Sequence, residues 1–258
     1  MPVIGLGTWQ LTKHTADTVL YAIELGYRLI DTSSDYRTQP GIGEAIKKSG
    51  IDREKLHITT KVEETDDAYK RMKSNLKELQ LDYVDLMLIH RPPLFGAGEE
   101  LWEGLIRAKE EGLVRDIGVS NYSISLIETL IDKSGEIPAV NQIEWSPFGH
   151  SRKMYDYCVE KGIVIQAYSP LTRTRRLNDI TLKQIALKYG KSTAQIMIRW
   201  SMQYGTVPIP KANQKAHLEE DLRVFDFEIN EEDMATLTAL NEHYSSLALG
   251  RLQYLKAI

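Results

Sequence analysis

A single cysteine, Cys158, among 258 residues leaves no internal disulfide, and such a chain suits a reducing compartment such as the cytoplasm. Cys158 itself reads as a small apolar residue on a helix over 153–161 rather than as a reactive thiol. Long apolar runs are missing too, and nothing approaches the roughly 20 residues of a membrane helix. Residues 1–11 carry no basic start and apolar centre of a secretory signal. Excess positive charge is also lacking: a net charge of -4 and a pI near 5.9 disfavour a general nucleic-acid or membrane-surface binder. The six histidines stand far apart, without metal-ligand spacing. No linker or low-complexity stretch divides the chain, so residues 1–258 are expected to form one domain with one large core.

What the chain does have is a repeat of strand ends. In Gly26-Tyr27-Arg28-Leu29-Ile30-Asp31-Thr32-Ser33-Ser34-Asp35-Tyr36 an apolar run stops at a carboxylate followed by small polar residues and a tyrosine. A buried strand emptying into a working loop has this look. The pattern recurs at Lys61 after His57-Ile58-Thr59-Thr60, at His90 after Val84-Asp85-Leu86-Met87-Leu88-Ile89, and at Ser120-Asn121 after Ile117-Gly118-Val119. The interval of about thirty residues is what a strand, a helix and two loops occupy. Eight strands are expected, over 4–8, 28–31, 57–61, 84–90, 116–120, 140–143, 164–168 and 206–210. Helical patterns lie between them, one capped by Thr65 with Ala68, Met72, Leu76 and Leu79 on its buried stripe, another opened by a Ser192/Gln195 capping box. Gly50, Gly112, Gly135, Gly162, Gly190 and Gly205 mark helix ends. Regular alternation over eight units predicts an α/β fold, a (β/α)8 TIM barrel in a single domain. A further helix from Asn230 and a tail over 241–258 lie outside the repeat.

Two glycine pairs invite a different interpretation. Gly5-Leu6-Gly7 lacks the third glycine of a dinucleotide fingerprint, and Gly41-Ile42-Gly43 suits close helix packing. Phosphate groups in such barrels favour the loops after strands seven and eight, which here hold Arg173, Arg175 and Arg176, then Lys211 and Lys215.

Barrel closure would bring Asp31, Tyr36, Lys61 and His90 to one mouth. Taken singly, they read as a turn former, a loop aromatic, a strand-end charge and a satisfied polar residue. Together they form a proton-transfer set. A tyrosine of ordinary pKa about 10 becomes a better acid beside an ammonium; Lys61 supplies the ammonium, Asp31 holds it, and His90 fixes a carbonyl or shares the proton.

The chain resembles the aldo-keto reductase superfamily over nearly its whole length. The segments that carry the likeness are Gly5-Leu6-Gly7-Thr8-Trp9, Gly26 to Tyr36, Ile58-Thr59-Thr60-Lys61, Asp82 to His90, Ile117-Gly118-Val119-Ser120-Asn121-Tyr122, Asn141-Gln142-Ile143-Glu144, Ala167-Tyr168-Ser169-Pro170-Leu171 and Pro208-Ile209-Pro210-Lys211. The resemblance implies a catalytic tetrad of Asp31, Tyr36, Lys61 and His90, with hydride passing from NADPH to an aldehyde or ketone and Tyr36 protonating the oxyanion. It also implies that Ser120, Asn121 and Gln142 bind the nicotinamide carboxamide and that Tyr168 stacks on the ring. Ser169 and Leu171 would meet the pyrophosphate, Thr8 and Trp9 would line the cofactor and substrate pocket, and Glu220 would touch adenine. Lys211 would hold the adenosine 2'-phosphate, where the usual serine and arginine are replaced by Ala212 and His217 and the asparagine beside Glu220 by Asp221. NADPH is therefore expected to be preferred with NADH tolerated, since a lost charged hydrogen bond is worth about 1.5–3 kcal/mol. The short sequence His90-Arg91-Pro92-Pro93 predicts an open pocket, with Trp9 its main aromatic wall and Arg91 either drawing anionic substrates or pointing outward. The N-terminal hairpin of many relatives is expected to be reduced. The expected partner is a small carbonyl compound, and a monomer or weak oligomer is compatible with the composition. Two rivals remain: a Schiff-base lyase built on Lys61, and a regulatory subunit that carries cofactor with little turnover.

Overall fold

Strand and helix signals alternate along the chain, and in the computed structural model, described here for residues 1–247, they do so in space as well. Among these residues are eight strands, β1 (Leu6–Gly7), β2 (Leu29–Asp31), β3 (His57–Val62), β4 (Val84–Ile89), β5 (Val114–Ser120), β6 (Val140–Glu144), β7 (Val164–Tyr168) and β8 (Val207–Pro208). The helices are α1 (Thr15–Leu25), α2 (Gln39–Ser49), α3 (Ala68–Leu79), α4 (Glu99–Glu110), α5 (Ile124–Ser134), α6 (Arg152–Lys161), α7 (Ile180–Tyr189), α8 (Thr193–Gln203), α9 (Lys215–Leu222) and α10 (Glu231–Thr238). All strand pairs are parallel and neighbours follow chain order from β1 to β8. Backbone bonds from Gly5 N to Pro208 O and from Gly7 N to Pro210 O bring the first strand against the last. The result is the predicted (β/α)8 architecture. The two seam strands are shorter than expected because Pro208 and Pro210 have no N–H to extend the ladder.

Gly7 acts at this seam, not at a phosphate. A Cβ built on it would lie 2.8 Å from the Ile209 carbonyl oxygen, so only glycine permits the approach. Gly43 serves helix packing as expected, since its Cβ would lie 2.3 Å from the Leu79 oxygen at the end of α3.

Strand alternation sorts the side chains into two layers. On β4, Met87 and Ile89 join the large core under the helices, whereas Leu86 and Leu88 cluster with Val140 in the barrel interior. Lys61 pairs in register with Leu88, and Asp31 with Gly7 and Thr59. The tetrad's strand residues are therefore carried on the inward face at the carboxyl ends of β2 and β3.

The Ser192/Gln195 capping box forms at α8. Helix α3, however, is capped by Asp67, whose side chain accepts the Lys70 N–H at 3.0 Å, and not by Thr65. Two helices, α7 and α8, separate β7 from β8. Past α10 the chain returns to the barrel mouth, where Tyr244 N–H donates to Phe148 O and the carboxylate of buried Glu144 accepts from Ser245 and Ser246. The remainder of the expected tail, 248–258, lies outside the described residues. No helix among the described residues is long and apolar enough to cross a membrane.

Candidate active site

The inward face at the ends of β2 and β3 starts the site. Lys61 is completely buried, and its ammonium donates to Asp31 Oδ1 at 2.8 Å, Asp31 Oδ2 at 2.9 Å and the Thr32 carbonyl at 2.8 Å. Tyr36 follows β2 on a one-turn 3-10 helix whose preceding Ser33 caps Asp35 N. This turn swings the phenol back over the barrel, with its oxygen 3.5 Å from Lys61 Nζ and 3.4 Å from His90 Nε2. His90 stands just beyond β4, its ring edge-on to that of Tyr36. All four predicted catalytic residues meet.

The electrostatics differ from the expectation in one respect. Burial, reinforced by the negative charges of Asp31 and Glu63, raises the Tyr36 pKa well above its ordinary value. Lys61 does not make the phenol acidic in this state, because burial and the negative charges of Asp31 and Glu63 outweigh it. Burial also lowers the Lys61 pKa, with Asp31 opposing it. Tyr36 thus holds its proton at neutral pH, the state that a proton donor requires. The same geometry argues against Schiff-base chemistry at Lys61: that amine is sealed from solvent and engaged by three close acceptors.

Next to the tetrad lie the residues expected at the nicotinamide. Ser120 Oγ donates to Gln142 O at 2.8 Å, and Asn121 Nδ2 donates to His90 O at 3.2 Å. Tyr168 donates its hydroxyl to Asn121 Oδ1 at 2.7 Å while remaining half-buried at the end of β7. Gln142 turns inward, its amide donating to Asp31 Oδ1 at 2.7 Å and to Gln166, so part of its hydrogen-bonding capacity is spent on the tetrad. Thr8 is buried, bonded to Asp31 O at 2.9 Å and to the Thr38 hydroxyl. Trp9 is partly exposed beneath the Arg173 guanidinium, 4.4 Å from its ring centre.

The residues expected at the phosphates and adenine spread along the loops after β7 and β8 and into α9. Ser169 and Leu171 are half-buried, Ser169 with a left-handed φ of 48°. Lys211, Lys215 and His217 are exposed, with Lys215 lying 4.3 Å over the Tyr21 ring; Glu220 is half-buried. Arg176 departs from the phosphate grouping, because its guanidinium pairs with Glu242 and stacks 4.6 Å over Tyr244. Arg91 neither points away nor stands free for anionic substrates: its guanidinium lies 3.3 Å from Glu63 and 3.6 Å from Asp35.

Glu63 and Gln166 escaped the sequence reading. Glu63 accepts from His90 Nδ1 at 2.8 and 2.9 Å and from Ser33 Oγ at 2.9 Å. Its signal was available in strand parity, since a residue two past Lys61 returns to the same face.

Residues 3–242 match the model of the aldo/keto reductase family. The chain belongs to the aldo/keto reductase family. This aldo/keto reductase is 39% identical over 248 residues to a glyoxal reductase of Bacillus subtilis (strain 168), covering 94% of this chain and 90% of that one. It is 37% identical over 250 residues to methylglyoxal reductase DkgA of Escherichia coli (strain K12), covering 94% and 90%. Among solved structures, an aldo/keto reductase from Brucella melitensis superposes with a TM-score of 0.88 at 39% identity, covering 93% of this chain and 95% of that one. One from Bombyx mori, in complex with NADP, does so with 0.90 at 32%, covering 97% and 92%. The aldo/keto reductase described here is thus an oxidoreductase acting on carbonyl groups.

Proposed function

We propose that this chain reduces small aldehydes and ketones, 2-oxoaldehydes among them, with NADPH as preferred hydride source and Tyr36 as general acid. One observation carries the proposal: a half-buried phenol lies within 3.5 Å of both Lys61 Nζ and His90 Nε2 at the barrel mouth. The names of the glyoxal and methylglyoxal reductases at 39% and 37% identity support the substrate class.

The residues suit the cofactor. Ser120, Asn121 and Gln142 carry the donor and acceptor types that an amide needs, and Tyr168 offers a half-buried ring beside them. Arg175 and Lys211 are exposed cations on the loops after β7 and β8 and Lys215 one at the start of α9, fitting a phosphorylated ligand. NADPH, when bound, supplies the hydride. The protein then orients the carbonyl with His90 and Tyr36, and Tyr36 passes its hydroxyl proton to the oxygen on which negative charge develops. Lys61, held charged by Asp31, stabilises the phenolate left behind. A positive charge about 3.5 Å away counts for more at this partly buried site than in water.

The test is NADPH oxidation with methylglyoxal and a panel of simple aldehydes, repeated with Tyr36→Phe. Turnover should fall at least about a hundredfold, the usual contribution of a positioned acid, while cofactor affinity is kept. Undiminished turnover in the variant would remove Tyr36 from this role.

A further inference from the structure

Beside the tetrad, a carboxylate with no assigned task is locked onto the far side of the catalytic imidazole. Glu63 takes the His90 Nδ1 on both of its oxygens, at 2.8 and 2.9 Å, and is itself held by Ser33 Oγ at 2.9 Å and Arg91 Nη2 at 3.3 Å. The opposite ring nitrogen, Nε2, faces the Tyr36 oxygen at 3.4 Å. A line of groups results, running Glu63, His90, Tyr36, Lys61, Asp31.

Resting on the carbonyl-reductase reading of the same site, we infer that Glu63 is the positioning residue for His90, fixing its tautomer and turning the Glu63–His90 pair into the proton reservoir for Tyr36. A carboxylate on Nδ1 keeps a proton on that nitrogen, so the neutral ring presents a lone pair at Nε2. When the ring is protonated, Nε2–H becomes a donor aimed at the Tyr36 oxygen, and Glu63 balances the new charge. The proton account closes. Starting from the doubly protonated ring, Tyr36 O–H breaks as the substrate O–H forms, His90 Nε2–H then breaks as Tyr36 O–H reforms, and the ring, left neutral with its proton on Nδ1, regains the Nε2 proton from solvent.

The charges facing His90 set the pH at which this works. Lys61 and Glu63 approach from β3 and its end, Tyr36 from the turn after β2, and Arg91 from the loop that His90 begins. Asp35 has a carboxylate oxygen within 4.8 Å of a Glu63 oxygen and a His90 ring nitrogen, and Asp31 lies behind Lys61. Arg91, between Asp35 and Glu63, is the cation of this corner. Burial depresses the His90 pKa, with Lys61 and Arg91 adding to the effect and Glu63 opposing it. Burial tends to raise the Glu63 pKa, but hydrogen bonds from His90 and Ser33 outweigh that and leave it lowered. Glu63 is therefore the group that stops His90 from losing its acidic form altogether.

The experiment measures the pH profile of kcat/KM, NADPH affinity and the 15N shifts of His90 in the wild type, E63Q and E63D. We expect E63Q to lose about ten- to a hundredfold in kcat/KM at neutral pH, by analogy with the loss of a partner that orients a metal-ligating histidine. Its falling limb should move to lower pH, while NADPH affinity holds and E63D restores much of both. The neutral wild-type ring should show Nδ1 protonated. An unchanged profile and unchanged ring shifts in E63Q would overturn the inference, and so would a wild-type ring protonated on Nε2, which can be read even if E63Q does not fold. A wild type without carbonyl turnover, or a fully active Tyr36→Phe, would instead sink the proposed function, leaving the ring shifts to decide the role of Glu63.

Discussion

Asp221→Asn is expected to stabilise the protein at alkaline pH and to do little in acid. Asp221 sits on α9, 4% exposed. Burial, with some help from the adjacent Glu220, pushes its carboxyl up to about 7. A group bound more tightly to its proton in the folded state contributes full stability below its unfolded pKa, near 3.8. That contribution is lost as pH rises through the folded value. At about 1.4 kcal/mol per tenfold change in proton affinity, the charged form costs the native state about 4 kcal/mol above pH 8. Relaxation around the site lowers this, and roughly 2 kcal/mol should accrue between about pH 5 and pH 8. An amide of the same shape cannot ionise and escapes the cost. Urea unfolding of both proteins at the two pH values measures it, the midpoints converting to free energy through the common slope. If the difference between variant and wild type is the same at both pH values, Asp221 is not the buried, reluctant acid that the fold makes it.

Asp31→Asn should destabilise by about 3–5 kcal/mol, because it strips the counter-charge from a buried ammonium; a loss below about 1 kcal/mol in the same unfolding assay would show that the pair is dispensable to folding. The double change A212S/H217R should raise the NADPH-to-NADH ratio of catalytic efficiency about tenfold, equivalent to one added charged hydrogen bond. An unaltered ratio would mean that the 2'-phosphate is held elsewhere, with Arg175 and Lys215 the next to change.

Much of this protein was legible before any coordinates. Eight candidate strands alternating with helical patterns implied eight units, and with them the right-handed connections that close a barrel. Asp31, Lys61, His90 and Ser120 could be picked out because each terminates an apolar run, and strand parity with chain order then carries them to one rim, whereas Gln142 and Tyr168 were legible only through the family resemblance. The helix stops at Gly50, Gly135, Gly162 and Gly190 were equally local, set by left-handed backbone that glycine adopts without strain.

Protonation and pairing were decided elsewhere. Whether Lys61 acidifies Tyr36 depends on the competing charge of Asp31 at 2.8 Å. The partner of Arg91 is settled by where Glu63 and Asp35 stand, and the use of Gln142 by a contact with Asp31 across 111 positions of chain. A pattern of residues determines which faces are buried, since that follows from period and polarity alone. Electrostatics falls off with distance through space and grows as water is excluded, so only the closed barrel determines which charges each group feels.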